Sequence, residues 1–549
     1  MARTIGLLAL SVLLLGGLGA PALADGGHSH GPHLMDDFDL HHHDITTKSK
    51  EAQRFFDQGL TLAFGFNHGE AAASFRHAAE LDPQCAMCYW GVAYSLGPNI
   101  NAPYDPAAQP EIRQTMDKAL ELAPKASVRE QAMIKALAER YGTDAAADRA
   151  PFDQAYAAAM RRVSLRFPDD NDAATLFAEA VMDTMPWDYW APDGLPKQGT
   201  QEFIDTLTRV LKRDPDHVGA THFLIHAVEK TRPELGVPAA DELAKLPDGA
   251  PGHLIHMASH IYIRVGRYDD AVRSNQRAIA ADEAYRAEHG APEFYAAMYM
   301  PHNRHMLWAS ASLDGRSAIA TETARGLADY TKDMLRHPAM AVGAQHFWLS
   351  PLYAMVRWGQ WNDILAVPEP AADLVYPRAV WRYAQGLASL RTGKAAEAQA
   401  HADALRQTVD SGALDALMYN FNSTASLMRI ASNVLDGEIL AAKGDTAAAV
   451  QHLQKAIETE DALVYDEPPP WHVPARQNLG AVLLAAGKPA EAEAVYRADL
   501  DVYPWNGWSL YGLAASFDAQ GKAKEAAQAH DRFVRAWKRA DVELESSRF

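Results

Sequence analysis

Residues 478–504 read NLGAVLLAAGKPAEAEAVYRADLDVYP, and residues 511–534 read YGLAASFDAQGKAKEAAQAHDRFV. Each stretch carries a small residue seven positions before a turn glycine, Gly480 before Gly487 and Ala514 before Gly521. Apolar residues recur every three or four positions on both sides of that glycine, the signature of two amphipathic helices joined by a tight turn. A single pair of this kind cannot bury its own apolar face, so copies must stack to share a continuous core.

Working outward, the spacing from Gly487 to Gly521 is 34 residues, and from Gly359 to Gly393 it is again 34. The intervals Gly266–Gly315 and Gly315–Gly359 are 49 and 44, which reads as one repeat plus an inserted loop. Further matches are YIRVGRYDDAVRSNQRAIAADE around Gly266 and FDQGLTLAFGFNHGEAAASFRHAAELDP around Gly59. Two Pro-rich insertions, Pro186–Pro196 and Asp466–Pro474, interrupt the pattern. No convincing period-2 strand pattern is present.

These units resemble the tetratricopeptide repeat family, whose period is about 34 residues. The resemblance covers nearly all of the chain after residue 50, and it implies an all-α fold: an α-solenoid of stacked helix-turn-helix repeats in a right-handed superhelix. It also implies an extended concave surface that binds peptides or protein segments, with catalysis uncommon. The expected organisation is a signal peptide over 1–24, a flexible His/Asp-rich leader over 25–50, N-terminal repeats over 51–215, central repeats over 216–365 and C-terminal repeats over 366–549.

The central repeats carry an unusual set of histidines. His253, His256 and His260 lie 13, 10 and 6 residues before Gly266; His302 and His305 lie 13 and 10 before Gly315; His346 lies 13 before Gly359. His222 and His226 precede His256 and His260 by 34 residues. Steps of three and four place such residues on one helical face. Of the eleven histidines between His217 and His346, eight fall on this ladder, so a shared surface is more economical than chance placement. In the family that the chain resembles, these slots face the concave groove, while Ile255, Ala258, Ser259 and Tyr262 occupy packing slots.

Neutral imidazole is a common ligand for zinc, copper and nickel, and pairs at i, i+3 or i, i+4 can share an ion when their rings converge. Glu229, three residues after His226, extends the pattern to HxxxHxxE and is the expected carboxylate ligand. The candidate metal ligands are therefore His222, His226, Glu229, His253, His256, His260, His302, His305 and His346. A groove that hydrogen-bonds a polar ligand, or packed structural histidines, remain open alternatives. Cys85 and Cys88 in DPQCAMCYWG are read first as a local disulfide and second as a soft-metal pair. The aromatic residues of Met185–Trp190, Tyr299, Trp348, Tyr353, Trp358 and Trp361 are core or a stacking wall for a ligand.

At the N-terminus, Arg3, the apolar run Ile5–Leu18 and Ala22-Leu23-Ala24 form a secretory signal cleaved after Ala24, so the protein is expected in the periplasm or secreted. The leader that follows interleaves His28, His30, His33, His41, His42 and His43 with Asp36, Asp37, Asp39 and Asp44; it is either a solvated spacer or a tail that wraps metal. Composition narrows the rest. Seventy acidic against 51 basic residues give a formal charge of -19, with no basic patch to offer a nucleic acid. No later segment is long and apolar enough to span a membrane. The GxSxG elbow, HExxH and phosphate-cradling glycine loops are absent, so the expected roles rank as metal or ligand binding, then a protein or peptide scaffold, then a metal-dependent enzyme.

Overall fold

The computed structural model describes residues 33–144 and 148–549; the signal expected over 1–24, and His28 and His30 of the leader, lie outside the described residues. Among these, 25 α-helices follow in chain order, and the strands are one antiparallel pair, Met418–Tyr419 with Asn422–Ser423. The fold is the expected all-α solenoid of stacked hairpins. Gly266, Gly315, Gly359, Gly393, Gly444, Gly487 and Gly521 turn the chain from first to second helix with φ between 64° and 83°. That left-handed region is open to glycine without a steric penalty. Phe66 takes the same slot, seven residues after Gly59, at φ 57°. Its strain is offset by burial, since its ring packs 4.4 Å from that of His222.

Hairpins stack through a repeated aromatic plug. The Tyr496 ring lies between Gly480 and Gly512, where a Cβ would meet ring atoms at 2.4 and 2.2 Å. At the other end of the chain, Phe75 lies between Gly59 and Gly91 in the same way, at 2.8 and 2.3 Å. Glycine at these first-helix positions therefore sets how closely neighbouring hairpins approach.

The slots expected to face an extended concave surface are buried at the central repeats, and segments from both sides of the described chain pack back onto them. Tyr268 donates to the Pro504 carbonyl (2.7 Å), Trp508 Nε1–H to the Ser312 carbonyl (3.1 Å), and Arg539 pairs with Asp314 at 3.0 Å. The Asp541 carboxylate accepts from the backbone amides of Ser317 and Ala318. From the other side, Phe64 and Phe66 of the first hairpin pack on the helix Val218–Val228. Two large apolar clusters result, one running up to Met300 and the other from Ile263 to the C-terminal hairpins, and the histidine helices span their seam.

The leader also departs from expectation, since it is strapped to the repeats from His33 onward. Met35 N–H donates to Gln58, Thr46 donates to Glu130, and Thr47 to Asp82. Buried donors and acceptors on the first three hairpins hold it down, so composition alone misjudged it.

The plug makes a testable statement about stability. Gly512→Ala should destabilise the protein by about 1–3 kcal/mol through overpacking against Tyr496. Thermal or denaturant unfolding of the variant would measure this, and combining it with Tyr496→Leu should recover part of the loss.

Candidate metal centre in the buried interior

Four helices deliver the ladder: Val218–Val228, Gly252–Val265, Glu293–Leu313 and Ala341–Trp348. Ile255, Ala258, Ser259 and Tyr262 fill the packing face of the second helix, as expected, but the ladder histidines are buried as well, apart from half-buried His302. His222, His256, His305 and His346 have no exposed surface, and His226, His253 and His260 have 2–3%. The rings nevertheless converge.

His222 Nδ1–H donates to the Phe64 carbonyl (2.5 Å), and His226 Nδ1–H donates to Glu229 Oε1 (2.9 Å). Their Nε2 atoms then face each other 3.0 Å apart. In the next repeat, His256 Nδ1–H donates to Asn275 Oδ1 (2.6 Å), whose amide is oriented by donating to the Ala271 carbonyl. His260 Nδ1–H donates to Glu229 Oε2 (2.6 Å) and lies 3.0 Å from Glu467 Oε2. His256 Nε2 and His302 Nε2 lie 2.8 and 3.2 Å from His260 Nε2. An acceptor on Nδ1 fixes the tautomer and leaves the Nε2 lone pair free, so His222, His226 and His256 all turn a lone pair inward. His253 stands between the groups, its ring centroid 5.1 Å from His222 and 5.5 Å from His256, with both nitrogens buried and without a hydrogen-bond partner.

Burial is the main cause that holds His222, His226, His253, His256 and His302 well below the usual histidine range, reinforced by neighbouring imidazoles. They are neutral near pH 7. For His260 burial acts the same way, but Glu229 and Glu467 outweigh it and push the ring up to about 10. Its proton sits between two buried carboxyls. Two sets of three rings have donor atoms within 4.8 Å of one another, His222/His226/His253 and His256/His260/His302.

Glu229 lies with His226 and His260 in a further set of donor atoms within 4.8 Å of one another. Both of its oxygens accept from ring Nδ1 atoms of adjacent repeats, so it orients two imidazoles from behind. Two participants escaped sequence reading. Asn275 sits on the second helix of its hairpin, where no pattern marks it. Glu467 comes from the Pro-rich insertion Asp466–Pro474, whose prolines could have flagged a rigid strut. His305 and His346 lie apart from the two triads, beside His472 of that same insertion, with ring centroids 5.4 Å from each other.

The aromatic residues divide. Trp187 and Tyr299 wall the cluster, at 5.0 Å from His226 and 4.6 Å from His253, and Tyr353 lies 5.2 Å from His472. Trp358 packs on Trp508 at 5.6 Å and is core. Cys85 and Cys88 form a disulfide and are fully buried, which removes the thiolates that a soft metal needs. In the leader, His41 and His43 bond the two Asp172 oxygens at 2.7 and 2.6 Å, and His217 Nε2 lies 3.2 Å from Oδ1. His217 Nδ1 accepts from the Ala220 amide, so its Nε2 carries the proton, close to Asp172 but without hydrogen-bond geometry. His42 bonds Asp57 and Asp44. These leader imidazoles are spent on carboxylates and tie the strap down.

The molecule is thus an α-solenoid with a histidine-lined, closed interior. No family model and no curated protein matches the chain. Among solved structures it is similar to the human IFIT1 dimer with m7Gppp-AAAA (TM-score 0.31, 12% identity, 92% of this chain and 96% of that one). It is also similar to yeast Tom70 (0.25, 13%, 89% and 93%) and to the P58(IPK) TPR domain (0.23, 11%, 90% and 99%). Likeness at this level says nothing about ligands.

The strap has a defined pH response. Burial opposes the charge on His41, but Asp172, with Asp57 and Asp214 behind it, raises its pKa above 6.5. Burial likewise opposes ionised Asp172, and His41 and His43 outweigh it to hold the carboxyl well below 3.8. A raised histidine stabilises fully below its unfolded value and loses that contribution as pH rises through the folded one. A depressed carboxyl stabilises above its unfolded value and loses that contribution as pH falls through the folded one. The strap should therefore hold best between about pH 4 and 6.5 and loosen above that window. Amide exchange of residues 33–49 across pH, corrected for intrinsic rates, checks this; tightening from pH 6.5 to 9 would contradict it.

Proposed function

We propose that the protein binds transition-metal ions of the zinc, copper or nickel class through its buried imidazoles, one ion per triad, the ion in the His256/His260/His302 triad releasing the Nε2 proton of His260 to solvent. The supporting observation is the pair of inward Nε2 lone pairs on His222 and His226, 3.0 Å apart with both Nδ1–H groups already committed. Facing lone pairs repel unless a cation or proton lies between them, and burial disfavours the proton. Metal–nitrogen bonds of about 2.0–2.1 Å suit donors at such separations after small ring rotations. Backing of ligand rings by a carboxylate, a backbone carbonyl and an amide is the arrangement that fixes ring orientation in metal sites. Two glutamates supply charge that offsets a buried divalent ion. Glu467 also lines a surface pocket of about 220 Å³ with Arg264, Glu460, Asp466 and Arg476.

The scaffold reading is weaker because the surface that would grip a peptide is occupied by the chain's own segments. Nothing in the geometry calls for turnover, so an enzyme reading stands last. Export completes the proposal: it rests on the signal over 1–24 and accords with a Cys85–Cys88 disulfide in an oxidising compartment. No helix among the described residues is long and apolar enough to cross a membrane.

Metal analysis of tag-free protein, wild type and His256→Ala/His260→Ala, tests the proposal. Wild type should retain or take up zinc, copper or nickel and gain thermal stability from it, and the double variant should lose one triad's share. Absence of metal in wild type together with no affinity for any of the three ions ends the proposal. Asn275→Ala, which removes only the acceptor behind His256, should weaken binding by about 10–100-fold.

A further inference from the structure

A third histidine triad shares no ligand with the two above. His305 and His346 come from helices of adjacent repeats, and His472 is carried by the Pro-rich insertion that closes over them. Their donor atoms lie within 4.8 Å of one another. Both ring nitrogens of His305, and Nε2 of His346 and of His472, are buried without any hydrogen-bond partner. One nitrogen from each ring converges on a shared space, and buried nitrogens without partners are an exception that native interiors almost never leave unresolved without a water or an ion. His346 is oriented from behind, with Nδ1 2.8 Å from the Tyr376 hydroxyl.

The surroundings differ in kind from the first cluster. Trp308 packs 3.9 Å from the His472 ring, Tyr419 stacks 3.8 Å from His346, and Phe347 lies 5.1 Å from His305. Among the described residues, no carboxylate forms an ion pair with any of the three histidines, whereas Glu229 and Glu467 both reach His260. A divalent ion held by three neutral imidazoles would leave two uncompensated charges in an aromatic box. The desolvation cost scales with the square of the charge, so a monovalent ion costs about a quarter as much. Zinc in addition seeks a fourth ligand. Cuprous copper is monovalent, takes three nitrogens in a plane and needs no fourth.

We propose that His305, His346 and His472 form a separate three-coordinate site for Cu(I), closed by the Asp466–Pro474 segment. The segment contributes the third ligand, so ion binding there pins the insertion over the interior.

The test uses full-length, tag-free protein titrated anaerobically with Cu(I) in competition with bicinchoninate. Wild type should hold a Cu(I) ion that His472→Ala and, independently, His305→Ala weaken by at least about tenfold, while His256→Ala/His260→Ala retains it. X-ray absorption of a Cu(I)-loaded His222→Ala/His226→Ala/His256→Ala/His260→Ala variant, in which the other two triads are broken, should report three nitrogen donors. Circular dichroism and thermal melting check that each variant is folded, and two variants on different elements guard against one misfolding. Unchanged Cu(I) affinity in folded His472→Ala and His305→Ala overturns the proposal, as does Zn(II) displacing Cu(I) from the variant in which the other two triads are broken. Because the triads share no ligand, loss of metal from the Glu229 cluster alone, or from this site alone, shows which reading failed.

Discussion

One carboxylate ties the interior together. Glu229 accepts from His226 in its own helix and from His260 one repeat later, so a single buried charge fixes the ring planes of two stacked hairpins. Each charge-assisted hydrogen bond of this kind contributes about 1.5–3 kcal/mol net, and removing one partner from a buried pair costs about 3–5 kcal/mol because the other is left uncompensated. The positions of His222, His256 and His302 follow from that brace. His222 and His256 face His226 and His260 through Nε2, and each is held from behind by a backbone carbonyl or an amide.

The brace works because its groups are buried. An open solenoid groove would hydrate these imidazoles and leave them as ordinary surface histidines titrating near neutrality. Here the hairpins after residue 475 dock on the turns at Gly266, Gly315 and Gly359, and the first hairpin docks on the helix Val218–Val228. The seam between the two apolar clusters thereby becomes a buried polar layer. The two insertions that interrupt the repeat pattern serve this closure. Trp187 from one covers His226, and Glu467 and His472 from the other enter the interior. Charge divides that interior into a carboxylate-braced part and a carboxylate-free part.

What the sequence by itself determined is the repeat and its face. Period and glycine placement are local properties: a turn that needs positive φ selects glycine at Gly266 or Gly487, and helical spacing aligns His253, His256 and His260 whatever lies around them. The tertiary structure alone decided the rest. Whether the face is open or sealed depends on contacts between residues more than 200 positions apart, such as Tyr268 with Pro504, which no periodicity encodes. Glu467, His472 and Asn275 joined the imidazoles for the same reason, since their partners come from other elements. Glu229 lies on the expected face, yet it orients rings, because two Nδ1–H groups reach its oxygens first.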